Sequence, residues 1–360
     1  MSIIKDVAFI GIGQAGGNIC SQFELQGHTV LYINTSQEDL DTLGDAQNKH
    51  HVAGGEGTAK NRELSKELIS NNFNAIDKVI DEKIKEEFIF VVFSSAGGTG
   101  SGASPTLMEY LKNNYPKRCI CGVTILPKTE ESLRAQGNTY ECFQELRRLY
   151  DETESMNESK CGALFIIDNN RFKDKMQLNN AFVGLLEDVL LVPDSKDIRG
   201  TIDAADVKET LRSSGCAIIS KMSPESMINE LNDSLNKSIF APLESDEMVE
   251  YILLSMISAI DIDALKKKTG IPVDIYQGYN TKQTLCVLSG LSFPKTRLDG
   301  IEQQAMLLKE HRQKSLSQKA VIQEKTLDLG IEKTDKLSQS KTEMTRDEIR
   351  EKAFAKFRKK

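Results

Sequence analysis

No apolar run in this 360-residue chain approaches the ~18 residues of a membrane-spanning helix. The opening Met1-Ser2-Ile3-Ile4-Lys5-Asp6 lacks the pattern of a secretory signal, so a cytoplasmic protein without a membrane partner is expected. Cysteine is sparse. The seven residues, an odd number, include no C-x-x-C pair, which fits free thiols and speaks against a disulfide framework. Cys119 and Cys121 alternate on an expected strand and read as core thiols ahead of a metal site. His50-His51 has no cysteine in range and reads as a surface pair in a polar loop. Positive charge is also short: the net charge of −7 excludes a general nucleic-acid-binding body. No G-x-x-x-x-G-K-[ST] sequence occurs, which removes the P-loop class.

Glycine, by contrast, is concentrated. Gly97-Gly98-Thr99-Gly100-Ser101-Gly102 follows the apolar run Phe88–Phe93 and precedes an expected helix, Ala103–Asn113. A glycine turn from strand to helix aims backbone N–H groups at one point, and the helix start adds partial positive charge there. Such a point suits phosphate. Thr99 and Ser101 bring hydroxyl donors. A second turn, Gly11-Ile12-Gly13-Gln14-Ala15-Gly16-Gly17-Asn18, follows the expected strand 5–10. Gly11, Gly13 and Gly16 match the dinucleotide fingerprint of an NAD-binding oxidoreductase. An NAD site also wants an acid after the next strand to hold the ribose. Here that strand, 29–33, ends in Asn34-Thr35-Ser36.

Gly97–Gly102 resembles the G-G-T-G-[ST]-G signature of the tubulin/FtsZ superfamily, and the Gly11–Asn18 turn resembles the first loop of the same proteins. The order agrees as well: Asn34-Thr35 after the second strand, then Gly54-Gly55-Glu56-Gly57, then the signature. The resemblance spans roughly Ile4–Pro294. Its most similar branch is TubZ, the GTPases of plasmid and phage partition systems. The implied fold is α/β: a Rossmann-like GTPase domain (1–168) joined by a long central helix (169–193) to a smaller α/β domain (194–295). A C-terminal helix (296–332) and a flexible basic tail (333–360) follow.

The residues support that layout. Strands are expected at 5–10, 29–33, 88–93, 120–126 and 163–167, with helices near 16–26, 58–71, 74–85, 103–113 and 131–151. Residues 170–191 read as a long apolar helix broken by Pro193-Asp194-Ser195. Strands are expected again at Val249–Ile257, Ile275–Gly278 and Gln283–Phe293. A helix is expected from Ser223-Pro224, and a long exposed one from Leu298 to about Leu327.

The resemblance also implies a site. Gly11, Gly13, Gln14, Ala15, Gly16, Asn18, Gly97, Gly98, Thr99, Gly100 and Ser101 would surround the phosphates of GTP or GDP, with Mg²⁺. Gly55, Glu56, Gly57 and Thr58 would close over the terminal phosphate. Glu131 matches the ribose-binding glutamate, and Asn169 would reach sugar or base. Arg134 lies one position before the family's usual arginine. Phe182 has two readings, a ring stacked on guanine or plain core, and Glu187 would accept from the base edge. The family's N-x-D-x-x-D loop is matched by Thr201-Ile202-Asp203-Ala204-Ala205-Asp206, where threonine replaces asparagine. Asp203 and Asp206 share one helical face and can orient a water for attack on the γ-phosphate, or cap a helix.

The resemblance implies a head-to-tail filament in which one copy's aspartates complete the next copy's pocket. The tail, Arg346–Lys360, holds seven basic and three acidic residues and includes Phe354 and Phe357. It is expected to engage a DNA-binding adaptor, so that DNA is carried indirectly. A cell-division GTPase of the same family, an assembly protein that binds nucleotide without hydrolysing it, and an NAD enzyme are the alternative readings.

Overall fold

A computed structural model describes residues 2–151, 161–195, 199–222, 238–244, 248–259, 261–280 and 282–326. The helix expected from Ser223 and the tail 333–360 lie outside these residues. The first half alternates strands and helices as the sequence predicts. β1 (Val7–Ile12), β2 (Thr29–Asn34), β4 (Phe88–Ser94), β5 (Cys119–Leu126) and β6 (Ala163–Asp168) form the parallel core. Helices α1 (Gly13–Leu25), α2 (Gln37–Asp41), α3 (Arg62–Asn71), α4 (Phe73–Lys83), α5 (Thr99–Asn114) and α6 (Leu133–Tyr150) connect them. β1, β4, β5 and β6 are buried at nearly every position, as strands covered on both faces must be.

Two strands go beyond the sequence expectation. β3 is Lys49–His51, a three-residue edge strand paired with β2. It corrects the polar-loop reading of His50-His51: His51 Nε2 lies 2.9 Å from the Gly55 carbonyl. Burial, and then the neighbouring His51, lowers the His50 pKa. β7 is Gly215–Met222. It pairs with β6 in parallel over three residues and then with β10 (Thr284–Leu291) antiparallel. β8 (Tyr251–Met256) and β9 (Asp274–Tyr279) complete one ten-stranded sheet of order β3-β2-β1-β4-β5-β6-β7-β10-β8-β9.

α7 (Lys175–Leu191) lies against α1, and a 3-10 turn at Val192–Asp194 ends it at the proline, as the sequence predicts. α8 (Ala204–Arg212) and α9 (Ile262–Thr269) follow. Residues 1–308 form one compact unit. α10 (Lys295–Thr326) begins in this unit. Cys119 and Cys121 are buried with their sulfurs 3.8 Å apart, and burial pushes the Cys121 thiol up. They are core thiols. Among the described residues no helix is long and apolar enough to cross a membrane, and no cluster of three or more His, Cys, Asp or Glu could hold a metal.

Candidate functional site: a phosphate cradle at the sheet's switch point

The sheet order reverses between β1 and β4. β1 connects through α1 to β2 on one side, while β4 connects through α5 to β5 on the other. In open α/β sheets the crevice beyond the strand C-termini at such a reversal is where ligands bind. Both glycine turns end there. Gly11 sits opposite Val92 in the β1–β4 register, so Gly13–Gly16 and Gly97–Gly100 are neighbours.

The glycines are required by close packing. A Cβ on Gly16 would stand 2.1 Å from the Val92 carbonyl oxygen, and one on Gly11 2.9 Å from the Gly16 oxygen. On Gly98 it would meet the Thr58 hydroxyl at 2.1 Å, and on Gly100 the Ser94 oxygen at 3.1 Å. Gly13 adds a positive φ of 70°. Gly97 differs: nothing lies within 4 Å of its Cβ position, so it faces open space.

Neither α1 nor α5 has a side-chain cap at its start. α4 also lacks one, whereas α2, α3, α6, α7 and α8 are capped by Ser36, Asn61, Ser132, Asp174 and Asp203. The first N–H groups of a helix have no partner within it. Two such uncapped N-termini meet at the switch point, and their dipoles add. Gln14 is exposed on the first turn of α1, with Ala15 and Asn18 half-buried.

Three hydroxyls converge beside the α5 start. Thr99 Oγ1 lies 2.8 Å from Thr35 Oγ1 and 3.4 Å from Thr58 Oγ1. Thr35, directly after β2, is the member of this cluster that the sequence reading left out of the site. Ser101 is fully buried, and its hydroxyl donates to the Gly97 carbonyl, so that hydroxyl braces the turn.

The Gly54–Lys60 loop is bent by positive φ at Gly54, Gly57, Ala59 and Lys60. Non-glycine residues rarely adopt this region, and such strain collects at ligand clamps. Gly55 is buried against Thr35, while Glu56 is exposed. Other side chains hold the loop. Asn138 Nδ2 donates to the carbonyls of Lys60 at 3.0 Å and Gly97 at 3.0 Å, and Arg134 donates to the Ala59 carbonyl at 3.2 Å. Arg62, buried, donates to the Ser101 carbonyl at 2.7 Å and pairs with Glu141 and Glu145. Sequence reasoning missed Asn138 and Arg62, because neither stands in a glycine turn.

Glu131 lies after β5, with Oε1 accepting from the Lys128 N–H at 3.3 Å and from Lys175 Nζ at 3.0 Å. Asn169 is the buried first residue after β6. The central helix corrects two expectations. Phe182 has no exposed surface and packs among Phe23, Phe165 and Phe240, ring centroids 5.9–6.2 Å apart. It is core and cannot stack on a base. Glu187 Oε1 lies 2.5 Å from Nε2 of the buried His28. His28 precedes β2 and its Nδ1 lies 3.4 Å from the Val7 carbonyl, at the opposite end of the strands from the glycine turns. The first turn of α7 lies at the loop after β5, where Lys175 reaches Glu131. Asn179, half-buried, follows one turn later on the same face.

The aspartate pair lies elsewhere. Asp203 caps α8: its Oδ1 accepts from the N–H groups of Ala205 at 2.7 Å and Asp206 at 3.0 Å. Asp206 Oδ2 accepts from the Asp203 N–H at 2.9 Å. The second oxygen of each carboxylate takes no part in this box. Burial, and then the charges of Asp203 and Asp274, raise the Asp206 pKa. One turn further, Lys208 Nζ pairs with Asp6 at 2.5 Å and Glu87 at 2.7 Å, the residues just before β1 and β4. These strands rise ~3.3 Å per residue, so the α8 start and the glycine turns are separated by roughly 20 Å of strand. The pair cannot reach the pocket of its own chain.

A family model described as the GTPase domain of the tubulin/FtsZ family matches residues 6–177. The tubulin-like protein TubZ of Clostridium botulinum C phage is 30% identical over 296 residues, which cover 81% of this chain and 80% of that protein. The chain belongs to the tubulin/FtsZ family. It is a GTPase that binds GTP and GDP, and its fold is tubulin-like; the oxidoreductase reading falls. The structure of Clostridium botulinum phage c-st TubZ, truncated at its C-terminal tail, superposes on this tubulin/FtsZ-family chain with a TM-score of 0.77 at 26% identity. It covers 86% of this chain and 99% of that one. A GTPγS-form protofilament of Bacillus thuringiensis serovar israelensis TubZ gives a TM-score of 0.74 at 14% identity, covering 87% and 94%, a likeness of fold alone.

Proposed function

We propose that this GTPase assembles head-to-tail into filaments that carry plasmid or phage DNA, and that hydrolysis occurs only between subunits. The observation that supports the reading is that the glycine turns and the Asp203–Asp206 pair stand at opposite ends of the same parallel strands. A surface that needs a different surface on the next copy propagates as an open chain unless rotation closes it.

In the pocket, the uncapped starts of α1 and α5 hold the phosphates, and Gly97 lets the ligand approach the backbone. Thr35, Thr58 and Thr99 offer hydroxyl oxygens on the γ-phosphate side, and the strained Gly54–Lys60 loop closes over them. Those oxygens suit a hard cation. Mg²⁺ binds largely through substrate phosphates and water, which fits a cradle without a carboxylate cluster. Bound there, it would neutralise charge on the triphosphate. Glu131 accepts from the ribose hydroxyls, Asn169 closes the sugar side, and Asn179 reads the guanine edge. Asp203 and Asp206 of the neighbouring copy orient the attacking water, each through the carboxylate oxygen left over from its capping box. α7 joins the nucleotide-binding half, 1–168, to the activating half, 194–295. The basic tail engages a DNA-binding adaptor.

The test is phosphate release from GTP against protein concentration, with light scattering in the same sample. Both are expected to rise together above a threshold. A rate per molecule independent of concentration would remove the intersubunit site.

A further inference from the structure

Asp168 closes β6 and is almost wholly buried. Its Oδ1 accepts from the Asn170 N–H at 3.0 Å, and its Oδ2 accepts from Arg297 Nε at 2.9 Å. Arg297 also donates through its second nitrogen to the Pro127 carbonyl at 2.5 Å, at the end of β5. One guanidinium therefore clasps the loops after β5 and β6. A second tie joins the same loops: Asn170 accepts from the Thr129 N–H at 3.0 Å and donates to the Thr129 hydroxyl at 2.9 Å. These are the loops that carry Glu131 and Asn169. Arg297 itself stands in the first turn of α10, far away in sequence.

α10 touches the pocket's supports at a second place. A Cβ on Gly137 of α6 would stand 2.9 Å from the Leu308 side chain, so α10 lies tight against α6. The next residue, Asn138, holds both phosphate-side loops. Tyr140, on the same helix, is hydrogen-bonded to Glu302.

We propose that Arg297 is a positioning residue for the nucleotide. By bridging Asp168 and Pro127 it fixes the spacing of the ribose and base loops, and so makes the docked start of the C-terminal helix part of the binding site. This rests on the reading that Glu131 and Asn169 face the nucleotide. The fork geometry of a guanidinium is needed, because one group must meet a carboxylate and a carbonyl at once; an ammonium cannot hold both in that plane. Coupling between sites is reciprocal, so bound nucleotide tightens the docking of α10.

Nearby anchoring gives a control. Thr296 donates its N–H and its hydroxyl to Glu244, each at 2.8 Å. This holds the same turn of α10 without touching either loop. In the full-length protein kept below its assembly threshold, Arg297→Lys is expected to weaken GDP binding at least tenfold, while Glu244→Gln leaves it within twofold. GDP should slow amide exchange over 295–308 in the wild type and in Glu244→Gln, and not in Arg297→Lys. Unchanged GDP affinity in Arg297→Lys overturns the proposal, as does equal weakening in both variants, which would mark a general loosening of the helix. Wild-type protein that binds no GDP would instead sink the nucleotide reading on which the proposal rests.

Discussion

Gly97 and Gly16 are both glycines of signature turns, yet their surroundings assign them different work. An added methyl at Gly16 collides with the backbone of β4, whereas at Gly97 it enters open space. Gly16→Ala is therefore expected to lower stability by about 1–3 kcal/mol, the usual cost of overpacking, in urea denaturation of the nucleotide-free protein. Gly97→Ala should leave the denaturation midpoint unchanged and reduce GDP affinity at least tenfold in a titration. The glycine turns are legible in the sequence because four glycines in six residues are costly without a close approach to justify them. Ser101 is not: whether a buried hydroxyl faces a ligand or its own turn depends on a rotamer, which spacing does not encode. The threonine trio is half-legible, since Thr35, Thr58 and Thr99 come from three separate loops and meet only when the sheet forms.

At the scale of elements, α7 shows how periodicity can be right and register wrong. Of the apolar face that the sequence predicts for this helix, Phe182, Val183 and Leu186 are buried and Leu185 is half-buried. Which turn of that helix meets the pocket depends on the connection 169–174, which no periodicity reports. Phe182→Leu is expected to cost about 1–2 kcal/mol of stability through lost packing, with the preference for GTP over ATP unchanged. Asn179→Ala should do the reverse, keeping stability and eroding the discrimination between bases. A Phe182 variant that folds normally and loses guanine preference would restore the stacking role. The missed strands have separate causes. β3 is short, polar and paired on one side only. β7, Gly-Cys-Ala-Ile-Ile-Ser-Lys-Met, is buried on both faces, and such a run has no alternation to distinguish it from a helix segment. The start of α8 has two readings in the sequence, catalytic loop and helix cap. The capping box is present, and it leaves one oxygen of each carboxylate for the proposed catalytic role.

For the whole molecule, the separation of pocket and aspartate pair predicts complementation. Asp203→Asn keeps a capping side chain and loses the carboxylate. Gly97→Asp places a negative charge in the open space meant for phosphate. Each variant alone should release little phosphate from GTP. Mixed in equal amounts, they should recover measurable turnover, because the Asp203→Asn copy offers an intact pocket to the other's aspartates. A mixture as inactive as its parents would argue that one chain contains the complete machinery.

The roughly 20 Å of parallel strand between those two half-sites has a meaning for the cell as well. If hydrolysis needs a second copy, as proposed, a solitary copy would hold its fuel with no means of burning it. Whether the fuel is spent would then depend on how many other copies are within reach, so abundance would itself be the ignition. Along any row of copies, the terminal one with an uncovered pocket would stay charged after its neighbours had discharged. The two tips would be chemically unlike, and the row would have a direction that no outside factor needs to impose.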